Sequence, residues 1–318
     1  MAFTVLLAAP RGFCAGVERA IRTVELALDT RAPNDQRPVY VRHEIVHNKT
    51  VVDDLRARGA VFVEDTNEIP MGATAVFSAH GVSPEVRGEA LERGLLTLDA
   101  TCPLVSRVHA AVLRYAARGY TILFVGHAGH PEVEGVMGEA PAQVKLVQTI
   151  ADANAIEVAD ARKVAYATQT TLSLDDVASI VDELRRRFPR MIGPEAGDVC
   201  YATQNRQEAV QALVECHGAD VVLVLGSPNS SNSNRLREVA ESVGARAYLL
   251  GNAAELDPRW LECTLRVGIT AGASTPEHLV QGLLERLRQL GADEVRTVET
   301  RIEDVFFAPP PIKRASAV

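Results

Sequence analysis

Three of the five cysteines in this 318-residue chain fall at the same point of an internal repeat, and that recurrence limits what the chain can fold into. Cys14, Cys102 and Cys200 lie 88 and 98 residues apart (14 to 102, 102 to 200). Each opens a stretch with the 3.6-residue apolar period of a helix: AGVERAIRTVELAL, PLVSRVHAAVLRYAARG and RQEAVQALVECHG. After the first helix come strand-like runs at 39–48, 61–63 and in AVFSAHGVSP, a helix near Pro84, then LLTLDAT. The second copy continues with TILFVGHAGHPEVEG, VKLVQ and VAYATQTTLS before the helix DDVASIVDELRRRF. The third has VVLVLGSPNSSNSNR, AYLL and LRVGITAGASTPEHL before VQGLLERLRQL. Short β-branched runs alternating with helices imply βαβ units and helix-covered parallel sheets. The predicted fold is α/β: three pseudo-threefold-related α/β domains, a trefoil, around a central iron–sulfur cluster. Because the strand before each cysteine closes the previous copy, the domains are expected at 14–101, 102–199, and 200–290 plus the N-terminal strand within 1–13. Residues 291–318, including 295–298 and FFAPPP, are left as a tail across the surface.

A threefold repeat brings equivalent positions to one axis, so the three thiols are expected to converge. A helix N-terminus favours the thiolate that a metal needs. Zinc sites usually close with four ligands at short spacings such as C-x-x-C, and no such pair occurs. Three isolated cysteines instead match one [4Fe-4S] cluster with three irons held by protein and the fourth open to substrate, a Lewis acid toward oxygen. Cys216 and Cys263 have no counterparts in the repeat and are read as small buried hydrophobes.

Net charge is −8 with no basic run, which argues against nucleic acid as a partner. No apolar run is long enough to span a membrane, and MAFTVLLAAPRGF lacks the basic start of a signal peptide. An odd number of cysteines without an export signal places the chain in a reducing cytoplasm.

The remaining chemistry lies in loops after strands, where ligands of parallel α/β sheets bind. His47, His80 and His130 occupy such loops in the first two copies, and the third has SPNSSNSN (227–234) and GITAGAS, ending at Ser274. Ser230, Ser231, Asn232 and Ser274 before helices favour a phosphate, although helix capping by Ser231, Asn232 or Ser274 is an ordinary alternative. Three histidines with hydroxyls and amides suit a diphosphate bound without magnesium. GHAGHPEVEG supplies Glu132 and Glu134 as proton donors, or merely as acids at a helix start. Glu132, in the loop with His130, is the preferred acid, kept protonated by desolvation. Thr170 and Thr171, in ATQTTLS, are both candidates to fix a substrate hydroxyl; Thr171 is equally suited to cap the helix near Asp175, so Thr170 is preferred. His43–His47 spells H-E-x-x-H, but on a strand its histidines stand about 13 Å apart, too far for one zinc.

Nine runs, PRGFCAGVERAI, VRHEIVHNKTVVDDL, FSAHGVSP, DATCPLVSRVH, GHAGHPEVEG, TQTTLSLDD, CYATQNRQEAV, GSPNSSNSNRL and TAGAS, resemble in order the IspH/LytB family of 4-hydroxy-3-methylbut-2-enyl diphosphate reductases over residues 10–290. The resemblance implies reductive dehydroxylation of an allylic alcohol diphosphate to isopentenyl and dimethylallyl diphosphates, the last step of the non-mevalonate pathway. It implies Cys14, Cys102 and Cys200 as cluster ligands, and His47, His80, His130, Ser230, Ser231, Asn232 and Ser274 around the substrate. Glu132 would deliver protons and Thr170 hold the hydroxyl, in a monomer fed by ferredoxin or flavodoxin. A quinolinate synthase-like enzyme, which also has three cysteines, and a non-catalytic cluster sensor stay open as alternatives.

Overall fold

The computed structural model describes residues 2–30, 37–194 and 197–311. Its N-terminal part contains β1 (Phe3–Ala9), α1 (Ala15–Asp29), β2 (Val39–Arg42), α2 (Lys49–Ala57), β3 (Ala60–Val63), β4 (Thr74–Phe77), α3 (Pro84–Glu92) and β5 (Leu96–Asp99). The middle part contains α4 (Pro103–Ala117), β6 (Thr121–Val125), α5 (Pro131–Met137), β7 (Val144–Val147), α6 (Ile150–Ala155), β8 (Val164–Thr168) and α7 (Leu174–Arg187). The last part contains α8 (Tyr201–Glu215), β9 (Val221–Leu225), α9 (Ser231–Ser242), β10 (Arg246–Leu250), β11 (Arg266–Ala271), α10 (Glu277–Gln289) and β12 (Ala292–Glu299).

These strands form three all-parallel sheets, ordered β3-β2-β4-β5, β7-β6-β8 and β10-β9-β11-β1-β12. Alternation along each strand fills two cores per sheet. In the five-stranded sheet, Val5, Leu7, Val221, Leu223 and Ile269 face α10, packing on Leu283 and Leu287. Leu6, Ala8, Val222 and Val224 face the opposite way, against Val210 and Leu213 of α8 and Leu236 of α9. The three-stranded sheet divides likewise: Leu123 and Tyr166 pack on α7, Ile122 and Phe124 on α4 and α5. Burial on both faces explains why runs such as VVLVL are apolar throughout, unlike the alternating strands of a one-sided sheet.

β1 pairs with β11 as β5 pairs with β4, so the first strand of the chain completes the last sheet. In the three-stranded sheet the corresponding place holds only a parallel bridge between Ala165 and Ile192. Two details differ from the sequence-based expectation. Strand β2 stops at Arg42 because His43 adopts φ 57°, so residues 43–48 form a loop instead of continuing the strand. Residues 292–299, read as the start of a surface tail, form β12, which runs beside β1 with Val5 opposite Val295 and Ala8 opposite Val298. Only residues 300–311 continue as an extended strap without regular structure; the rest of that tail lies outside the described residues.

β12 covers what would otherwise be a bare, apolar edge of β1. A chain truncated after Gly291 is therefore expected to melt at least about 5 °C lower by calorimetry, from lost burial and pairing. An unchanged melting temperature would return residues 292–299 to the status of a tail.

Candidate active site

Loops from all three sheets enclose one cavity, and its floor is made of thiols. Cys14, Cys102 and Cys200 are the N-cap residues of α1, α4 and α8, and all three line the cavity. The approach of two of them depends on Gly16. A Cβ there would stand 2.7 Å from Cys102 Sγ and 3.8 Å from Cys14 Sγ, so any larger residue would occupy the space between the sulfurs. Thr203 holds the third: its backbone N–H donates to Cys200 Sγ at 3.4 Å, and its hydroxyl lies 3.2 Å away.

Electrostatics at the floor run against the expectation from helix polarity. Burial pushes the Cys102 thiol up to about 12 and Cys200 up to about 11, with neighbouring thiols adding to the rise. Backbone N–H groups of Leu104 and Val105 pull Cys102 the other way but do not win. Desolvation thus outweighs the helix N-terminus. Cys216 and Cys263, expected to be buried, are exposed.

Above the floor stand three imidazoles. His47 and His80 stack with ring centroids 4.2 Å apart, and His130 meets both edge-on at 5.3 and 5.5 Å. Burial first, and the other histidines second, depress His80 well below its ordinary value and His130 to about 3. His130 Nδ1 accepts from the Glu132 N–H at 3.1 Å, which caps α5 and leaves the proton of the neutral ring on Nε2. His47 Nδ1 lies 3.1 Å from Glu44 Oε2, and its buried Nε2 has no partner among the described residues. That contact holds the Glu44 carboxyl below its usual range, helped by Asn229, whose amide donates to Glu44 at 2.8 Å.

Glu132 lies between floor and wall. It occupies the first turn of α5, not a loop, and is 2% exposed, whereas Glu134 faces solvent. Its two oxygens accept from Thr170, Oε1 from the backbone N–H at 2.7 Å and Oε2 from the hydroxyl at 2.9 Å. Burial nevertheless pushes its pKa up to about 7, with Asp198 adding to the rise. Thr171 does not cap α7; Ser173 does, and the Thr171 hydroxyl accepts from Gln169 instead.

The far side is polar. Ser230 caps α9 through the Ser233 N–H, so neither Ser231 nor Asn232 is the cap. Asn232 Oδ1 accepts from Ala273 N–H at 2.8 Å, while its buried Nδ2 finds no partner among the described residues. Ser231 donates to Thr171 O at 3.4 Å, and Ser274 donates to His47 O at 2.9 Å instead of capping α10. The three repeat cysteines, the three loop histidines, Glu132, Thr170, Ser230, Ser231, Asn232 and Ser274 thus border this one cavity, while Glu134 does not. Sequence reasoning missed Gly16, Thr203 and Glu44. Spacing to a cysteine or histidine three residues away was the available signal for the last two, and for Gly16 there was none.

The profile described as LytB protein matches residues 5–288. The chain belongs to the LytB family. It is 57% identical over 306 residues to the 4-hydroxy-3-methylbut-2-enyl diphosphate reductase of Aromatoleum aromaticum, with 96% of each chain covered. Among solved structures it resembles the E-1-hydroxy-2-methyl-but-2-enyl-4-diphosphate reductase from Plasmodium falciparum, at TM-score 0.92, 37% identity and 97% and 96% coverage of the two chains. A second, titled as (E)-4-hydroxy-3-methyl-but-2-enyl diphosphate reductase, the terminal enzyme of the non-mevalonate pathway, aligns at TM-score 0.63 and 32% identity, covering 90% of this chain and 99% of that one. In this LytB chain the H-E-x-x-H string is a loop, not a helix or a strand. His43 bonds Glu64 at 2.6 Å while His47 bonds Glu44, so the two rings serve different partners.

The raised pKa of Glu132 has a thermodynamic consequence. Its folded-state value exceeds its unfolded one, so the native state holds the proton more tightly, and the contribution is complete below 4.5 and lost as pH climbs through about 7. Between pH 4.5 and 8 the parent should lose up to about 3 kcal/mol of unfolding free energy that Glu132→Gln keeps. Urea denaturation of both proteins at the two pH values measures the difference, and parallel losses would place the ionisation elsewhere.

Proposed function

We propose that the cavity binds (E)-4-hydroxy-3-methylbut-2-enyl diphosphate and reductively removes its hydroxyl, giving isopentenyl and dimethylallyl diphosphates. The overall step consumes two electrons and two protons; the C–O bond breaks, a C–H bond forms, and the oxygen leaves as water. One observation carries the reading: a buried acid poised near neutrality stands between three thiols on one side and an imidazole, hydroxyl and amide wall on the other. The printed names of the relatives support the substrate class.

The donor set fits an iron–sulfur cluster. Thiols raised to about 12 and 11 would keep their protons in this buried floor unless a strong cation replaced them, and binding then releases those protons. Among the described residues no three His, Cys, Asp or Glu side chains are placed to hold a single metal ion. Cys14, Cys102 and Cys200 would hold a [4Fe-4S] cluster, which when bound supplies electrons and Lewis acidity at the C–O bond.

The chain's own residues do the rest. His47 Nε2 and Asn232 Nδ2, buried and without partners among the described residues, are groups that a diphosphate would satisfy, with His80, His130, Ser230, Ser231 and Ser274 around it. The N-terminus of the 12-residue α9 adds favourable polarity for an anion. Thr170 orients the substrate hydroxyl and steadies Glu132, whose pKa near 7 lets it hold a proton at Oε and still release it to the departing oxygen. The three sheets, each with its covering helices, correspond in this reading to the three repeats. Ferredoxin or flavodoxin is the proposed electron donor, with the chain acting as a monomer in the cytoplasm; no helix among the described residues is long and apolar enough to cross a membrane.

Anaerobic purification, iron and sulfide counts, and turnover with reduced methyl viologen test the reading. A brown protein that consumes the allylic diphosphate is expected, and a colourless one inert after reconstitution would end it. Glu132→Gln should keep cluster and substrate affinity while losing at least about 99% of turnover, the usual scale for a lost general acid. Ser in place of Cys14, Cys102 or Cys200 should abolish stable iron binding. Cys216→Ser and Cys263→Ser, at exposed positions, should leave it unchanged, and iron loss in either would overturn the ligand assignment.

A further inference from the structure

Two arginines outside the cavity join the three cysteine-bearing segments to one another and to the strap. Arg206 of α8 is 0% exposed. Its Nε and Nη2 donate to Gly12 O at 3.1 and 2.8 Å, Nη2 also reaches Phe13 O at 3.2 Å, and Nη1 donates to Ala202 O at 2.9 Å. Glu303 of the strap closes the remaining side, with Oε1 2.9 Å from Nη1 and Oε2 3.2 Å from Nη2. Asn205 adds a bond to Glu303 Oε1 at 3.0 Å. The acceptors are the two residues before Cys14, the first turn of the helix capped by Cys200, and the strap.

Arg19 of α1 makes the complementary tie. Nη1 donates to Thr101 O at 2.8 Å, the residue before Cys102, and Nε donates to Ala308 O at 2.9 Å, further along the strap. One arginine thus joins the Cys14 loop to the Cys200 helix, the other joins the Cys14 helix to the Cys102 loop, and the strap is bonded to both. Neither arginine nor Glu303 lines the cavity.

We propose that Arg206, Arg19 and Glu303 are positioning residues that fix the mutual placement of the three thiols, so that the strap governs how firmly the cluster is retained. This rests on the cluster reading above. A planar guanidinium suits the task because its fixed fork can hold several carbonyl groups at once. Without Glu303 the buried cation of Arg206 lacks its counter-charge, and the 12–13 backbone loses a rigid partner.

Glu303→Ala is the test, since Glu303 lies on the strap and outside every sheet. In anaerobically reconstituted protein, iron release to a chelator should quicken at least about tenfold, the scale of a lost charge-assisted bond, with KM for the diphosphate unchanged. In metal-free protein, amide exchange at 11–14 and 200–206 should rise while 221–225 keeps its protection. Arg206→Lys, which keeps the charge but not the fork, should behave like Glu303→Ala and fail to rescue. Unchanged iron release and unchanged exchange in Glu303→Ala would overturn the proposal. A parent that takes up no iron would instead overturn the cluster reading, and the two failures are distinguishable because the exchange measurement needs no metal.

Discussion

Three half-buried thiols gathered at one cavity form an arrangement that a folded chain must hold in place by other means. Burial raises the Cys102 and Cys200 thiols well above their ordinary range, and the neighbouring thiols add to the rise. Their convergence depends on three helices beginning at the carboxyl ends of three separate sheets, where backbone N–H groups point inward. Those helices are fixed by their apolar faces: Val17 and Val24 of α1, Val108 and Val112 of α4, Val210 and Leu213 of α8. The cores therefore do more than stabilise each unit, because they set the direction of every cysteine.

The cavity wall has the opposite electrostatic need. Three adjacent imidazoles cannot all be charged in so small a space, and burial drives His80 and His130 toward neutrality. An anion entering the cavity would reverse that preference, since opposite charge favours the imidazolium. Glu44 shows how the wall is biased toward such a ligand. Its carboxylate, held by His47 and Asn229, keeps His47 oriented with Nε2 free, and it joins the first unit to the last. Glu132 stands at about 7 because burial raises it further than the two hydrogen bonds from Thr170 pull it down.

Much of this was legible in the chain. Runs such as VVLVL and TILFV are apolar on both faces, so they announced covered parallel strands, and the recurrence of a cysteine before each helix placed the thiols. The loops that carry the histidines followed from strand order. What escaped was whatever local pattern does not encode. ADEVRTVE alternates charge with small or β-branched residues and buries only Val298, so nothing in it announces an edge strand; its partner β1 lies almost three hundred residues away. Thiol acidity was misjudged because helix polarity is a local property and desolvation a tertiary one. The exposure of Cys216, at the end of α8, and of Cys263, at φ 56°, follows from position in a turn and not from side-chain preference.

β1 links these observations. It pairs with β11 on one side and β12 on the other, and its last residue, Ala9, accepts from Thr300 at 2.9 Å where the strap begins. The chain then turns through Gly12, whose N–H donates to Ala271 O at 3.0 Å, and reaches Cys14, whose N–H donates to Ala273 O at 3.3 Å. The Cys14 loop is thus held by β11 from one side and by Arg206 from the other. Gly12 has φ 65°, and a Cβ there would approach Thr275 O at 3.0 Å, so the turn admits no bulkier residue without displacing that backbone. A lysine at 206 would present one ammonium where the loop offers two carbonyl groups, the helix a third and the strap a carboxylate. Only a forked, permanently charged side chain meets all four from a fully buried position. The threefold repeat supplies three cysteines, but the asymmetric additions, β12 and the strap, are what tie their loops together.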